Sequence, residues 1–164
     1  MCRQGRTGYS PSMSTFTPPA TDLRLVVGYD GSPPADRALQ AAVNLLQGRT
    51  GRIEVVYVAH MPSMAALSPG AVAEMETGFD DVQRELQTKV AEQLRDREQS
   101  WDFQRRQGPI AEELIEAARE LGATHPEATV VIVVGSSSLV AHRVVGSAAV
   151  SLARHSPVPL VVVP

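Results

Sequence analysis

Cysteine is almost missing from the 164-residue chain: Cys2 stands alone, so no disulfide can close within it and no CxxC motif for metal or redox chemistry can be built. Long apolar runs are missing too. The first residues, MCRQGRTGYSPSMSTFTPP, hold no apolar signal-peptide core, and the longest apolar stretches elsewhere fall far short of a membrane span. Clustered positive charge is the third absence. The 15 Lys and Arg are scattered among 18 Asp and Glu for a formal net charge of -3, so nucleic acid is not an expected partner. Four histidines, His60, His125, His142 and His155, share no metal-ligand spacing, and no metal site of the chain's own is expected. These absences predict a cytoplasmic protein that makes no use of a membrane.

What is present suffices for one core. A 43% hydrophobic content in a chain of this length closes a single domain and is too little for two. Residues 1–22 are rich in Gly, Pro, Ser and Thr and are expected to form a loose, dispensable tail, with Met13 as acceptable a first residue as Met1. The folded domain is placed at 23–164. Runs at 23–29 (LRLVVGY), 53–58 (IEVVYV), 130–134 (VVIVV) and 160–163 (LVVV) are short and rich in β-branched residues, as strands covered on both faces are. Residues 101–107 alternate less cleanly and predict a weaker strand at a sheet edge.

Helices separate these runs. Ser32 offers an N-cap with Pro33 at the first helical position, Leu39, Ala42, Val43 and Leu46 follow at helical spacing, and Gly48 stops the helix. After a long connection at 59–69, a polar helix at about 71–97 carries the apolar stripe Phe79, Val82, Leu86, Val90 and Leu94. A third helix begins after Gly108 and Pro109 with the expected buried stripe Ile110, Leu114, Ile115, Ala118 and Leu121, and a short fourth spans 147–155. The strand-helix alternation implies an α/β fold, an open parallel sheet of five strands with helices on both faces.

In such a sheet the ligand crevice lies beyond the carboxyl ends of the strands, where the strand order reverses. Two strand ends are marked by glycine and small polar residues: Gly28-Tyr29-Asp30-Gly31-Ser32, and Gly135-Ser136-Ser137-Ser138 with Gly146-Ser147 at the next helix start. If the two strands are neighbours, both loops face one crevice. Gly146 and Ser147 present a helix N-terminus suited to phosphate, although such a segment is more often a plain helix start. Arg143 is within the same stretch and could reach a phosphate, although a lone loop arginine is usually just solvated. Asp30 either accepts from a ribose hydroxyl or caps local N–H groups as an Asx-turn. No residue stands out as a general base, and neither a nucleophile elbow nor a triad pattern is present.

Three segments carry a resemblance. VVGYDGS at 26–32, VVYVAH at 55–60 and VIVVGSSSLVAHRVVGSAAVSLARHSPVPLVVV at 131–163 are similar to the universal stress proteins, here an actinobacterial-like single-domain member. The resemblance implies a Rossmann-like, adenine nucleotide alpha hydrolase-like sheet in strand order 3-2-1-4-5. It also implies an adenine-nucleotide site for ATP, with Mg, and a homodimer through the last strand. Nucleotide-binding members carry G-x-x-G-x9-G-[ST] along the triphosphate. Gly135 matches the first glycine of that motif and Gly146 with Ser147 the closing pair, while Asp30 matches the acidic residue near the ribose and Val58 the position lining adenine. The chain departs from the pattern at Ser138, which replaces the second glycine, and in the seven residues, 139–145, that separate it from Gly146.

The resemblance therefore predicts a regulatory binding protein that hydrolyses ATP slowly if at all. The alternative is a dimeric stress scaffold or partner-binding protein that has lost the nucleotide. A phospho-acceptor receiver domain is disfavoured: it needs an acidic cluster at the first strand and a lysine after the fifth, whereas this chain has Asp30 alone there and its single lysine, Lys89, in the long helix.

Overall fold

The computed structural model describes residues 22–59, 69–136 and 147–164. The expected tail, Asp22 apart, and most of the connection at 59–69 lie outside them. The chain runs β1 (Asp22–Gly28), α1 (Pro33–Leu45), β2 (Thr50–Ala59), α2 (Pro69–Gln93), β3 (Ser100–Gln107), α3 (Ile110–Thr124), β4 (Thr129–Gly135), α4 (Ser147–His155) and β5 (Leu160–Val163). All pairings are parallel, and the five strands lie in the order β3-β2-β1-β4-β5. The expected α/β sheet and its order are therefore observed.

The two-residue period of the strands divides the core into two layers. On one face Phe103, Val55, Val27, Val133 and Val161 stand side by side across the whole sheet. Over this row lie Ala38, Leu39, Ala42 and Val43 of α1 and Leu86, Val90 and Leu94, the stripe of α2 and its end. Val26, Val56, Ile132 and Val134 point to the other face, where Leu114, Ile115 and Ala118 of α3 and Leu152 of α4 cover them. Each fully buried aliphatic side chain contributes about 1.5–3 kcal/mol. The near-continuous apolar sequence of the central strands follows from this double cover.

Local signals work as the sequence implies at the start of α1, where the Ser32 hydroxyl accepts from the Ala35 N–H and Pro33 follows it. Two apolar assignments are corrected. Val82 is 40% exposed, although the sequence places it on the buried stripe of α2. Leu86 already packs over Gly31, past the end of β1, so Val82 one turn earlier extends beyond the sheet. Ile110, expected in the buried stripe of α3, is 45% exposed because it is the first residue of that helix and stands at the rim of the crevice described next.

Candidate functional site

The switch in strand order falls between β1 and β4. β1 leads through α1 to β2 on one side, whereas β4 lies on its other side and leads through α4 to β5. The order thus reverses at these two neighbouring strands, and a cavity of about 240 Å³ opens between them beyond the strand ends. Val56 and Val58 of β2, Leu114 of α3 and Val134 of β4 give it apolar walls, with Ile110 at its edge. Gly28 and Gly135 belong to its lining, as do Asp30 and Ser32 of the β1–α1 loop and Ser147 at the first turn of α4.

Two glycines are needed here for different reasons. Gly31 has φ +77°, a conformation costly for any residue with a Cβ, and that geometry turns the chain from β1 into α1. Gly135 has ordinary backbone, but a Cβ on it would run into the main-chain carbonyl of Pro34. The first turn of α1 therefore approaches the end of β4 as closely as main chain allows.

Around Asp30 the loop is held by its own polar groups. Asp30 Oδ1 accepts from the Ser32 N–H at 3.0 Å, which is the Asx-turn, and the exposed carboxylate still borders the cavity. Tyr29 N–H donates to the Val56 carbonyl at 2.9 Å. Its hydroxyl donates to Asp36 at 2.6 Å, and burial together with that carboxylate pushes the phenol well above its ordinary value of 10.0. Burial acts to raise the Asp36 carboxyl, but hydrogen bonds from Lys89, Tyr29 and Gln93 outweigh it and hold it below 3.8. Both groups keep one protonation state across neutral pH.

Of the residues singled out from sequence, Gly28, Asp30, Val58, Gly135 and Ser147 converge on the cavity. Ser136 is not among the lining residues, and its N–H donates to the Val163 carbonyl at 2.7 Å, continuing the β4–β5 pairing. Ser138, Arg143 and Gly146 lie outside the described residues. The sequence reading missed Val56 and Val134, which period-two alternation from Val58 and Val130 could have placed on the same face. It also missed Tyr29, Asp36, Lys89 and Gln93 as a cluster. Tyr29 and Asp36 are 7 residues apart, but the bonds from Lys89 and Gln93 reach residues 53 to 64 away in the chain, and no local signal encodes them.

The fold has counterparts among known proteins. The model of the universal stress protein family matches residues 23–164. A protein of that family from Burkholderia pseudomallei is 26% identical with a TM-score of 0.67, covering 90% of this chain and 99% of its own. A universal stress protein in complex with cAMP is 20% identical with a TM-score of 0.60, over 87% and 97% of the two chains. A family protein from Arabidopsis thaliana with AMP bound is 11% identical with a TM-score of 0.56, over 86% and 90%. Among curated proteins none matches. With the family model spanning every strand and helix of the sheet, the chain belongs to the universal stress protein family.

Proposed function

We propose that this chain is a regulatory binding protein that holds an adenine nucleotide, ATP first among them, in the crevice between β1 and β4 and hydrolyses it slowly if at all. The observation that carries the reading is the crevice itself, an apolar slot beside an exposed carboxylate at the point where strand order reverses. Val56, Val58, Leu114 and Val134 suit the faces of a base, and Asp30 keeps an oxygen for a ribose hydroxyl while its other oxygen holds the Asx-turn. Gly28 and Gly135 keep side chains out of the slot. Ser136, Ser138, Arg143, Gly146 and Ser147 are proposed for the phosphate end.

Solved relatives in complex with cAMP and AMP support adenine as the base. Asp30 is the only carboxylate among the described lining residues, and its engagement with Ser32 suits it to binding more than to proton transfer. Mg would enter on the phosphates, since among the described residues no three His, Cys, Asp or Glu gather as ligands.

Denaturing freshly purified protein and chromatographing the supernatant tests the reading. Bound adenine nucleotide is the expected result. Protein that carries none, and whose melting point is unmoved by millimolar ATP, ADP or AMP, overturns it.

A second reading is a dimeric scaffold without nucleotide, and one observation supports the dimer it shares with the first. β5 is a sheet edge of four apolar residues, all partly exposed, and such an edge pairs readily with a copy of itself. A dimer in solution with no affinity for nucleotide would select that reading.

A further inference from the structure

Lys89, the chain's single lysine, projects from α2 onto the loop that carries Asp30. Its ammonium donates to the Gly31 carbonyl at 2.7 Å and to Asp36 Oδ2 at 2.8 Å. The second oxygen of Asp36 accepts from the Tyr29 hydroxyl at 2.6 Å and from Gln93 Nε2 at 2.8 Å. Residues of the β1 end, the first turn of α1 and the last turns of α2 are thereby joined in one polar cluster.

The Lys89–Asp36 pair is open to solvent, with side chains 39% and 31% exposed. A pair this exposed contributes only about 0–1 kcal/mol to stability, so its placement matters more than its strength. Gly31 lies between Asp30 and Ser32, the two partners of the Asx-turn. Fixing the Gly31 carbonyl from α2 therefore fixes the peptide planes that aim the Asp30 carboxylate. Leu86, one turn before Lys89 on the same helix, presses on Gly31 from the same side. Asp30 also borders both the crevice and the groove along α2 that Lys89 lines.

We propose that Lys89 is a positioning residue: through Gly31 and Asp36 it clasps α2 to the β1–α1 loop and sets the aim of the Asp30 carboxylate at the ribose of a bound nucleotide. The proposal rests on the nucleotide reading above. Affinities for ATP and 2′,3′-dideoxy-ATP, measured by calorimetry on wild type and variants, test it. Wild type should prefer ATP about tenfold, the worth of hydrogen bonding to a charged acceptor. Lys89→Met should bring the two affinities within about threefold of each other, with the circular dichroism spectrum unchanged, and Lys89→Arg should restore most of the preference. In an Asp30→Ala background, Lys89→Met should cost nothing further.

Equal loss for both nucleotides in Lys89→Met, or an additional loss on top of Asp30→Ala, overturns the positioning role. Should wild type bind neither nucleotide, the nucleotide reading fails and the aim at a ribose fails with it. The clasp is then judged by amide hydrogen exchange. Faster exchange at Gly31 and Ser32 in Lys89→Met, with β4 unchanged, upholds the clasp, and unchanged exchange at those amides refutes it.

Discussion

At Asp36, burial opposes ionisation, yet three donors on two oxygens decide the balance in favour of the carboxylate. Its folded-state value lies below the unfolded one, so its stabilisation is complete above the unfolded value and fades as pH falls through the folded value. Tyr29 has the opposite sign. Its folded value is raised, so its contribution is complete below the ordinary 10.0 and is lost as pH climbs past it. Asp36→Asn should therefore flatten the acid limb of the stability profile, with melting points falling less between roughly pH 5 and pH 3 than in wild type. Parallel curves would assign the acid limb to other groups. Gly135→Ala tests a different constraint, the close approach of Pro34. Overpacking there should cost about 1–3 kcal/mol, read as a melting point lowered by several degrees.

Among the elements α2 is the most informative, because charge and apolar spacing pull its reading in different directions. Only part of its stripe is used: Leu86, Val90 and Leu94 are buried and Val82 is not. Leu86→Ala should cost about 2–5 kcal/mol, whereas Val82→Ser should stay within about 0.5 kcal/mol of wild type. Comparable losses from the two in urea unfolding would show that the helix continues to pack beyond Leu86. The two edge strands differ in how they are protected. β3 carries Arg105 paired with Asp80, and Arg106 paired with Glu120, charges that discourage pairing with another chain. β5 has no charged residue at all.

At the scale of the whole molecule that asymmetry points to β5 as the self-pairing edge. Light scattering should give twice the 17.6 kDa chain mass for wild type and one chain for Val162→Lys that keeps its circular dichroism spectrum. A variant that stays dimeric places the interface elsewhere. The nucleotide binding proposed above would likewise be read on the whole fold, since a ligand at ~100 times its dissociation constant adds roughly 2.7 kcal/mol, or on the order of 5–10 °C. ATP should raise the melting point by that amount, and Asp30→Ala with Gly146→Val should abolish the rise. Ser138→Gly should enlarge it, because glycine lets main chain approach phosphate where serine does so less readily. An unchanged shift in that variant would show that Ser138 does not limit binding.

The four short β-branched runs, the Ser32-Pro33 helix start and the two glycine-marked strand ends were all legible in the amino-acid order, because each depends on neighbours a few residues away. So was part of the crevice: Gly28, Asp30, Val58, Gly135 and Ser147 belong to strand ends that punctuation reveals. Strand order came from family resemblance, since periodicity shows that a strand is buried without naming its neighbours. The exposure of Ile110 and Val82 was decided by where each helix meets the end of the sheet, a boundary that the 3.6-residue period does not carry. The clasp of Lys89 on Gly31 and Asp36 was decided by tertiary structure alone. Side chains 53 and 58 positions from their partners become neighbours only when α1 and α2 pack on the same face of one sheet.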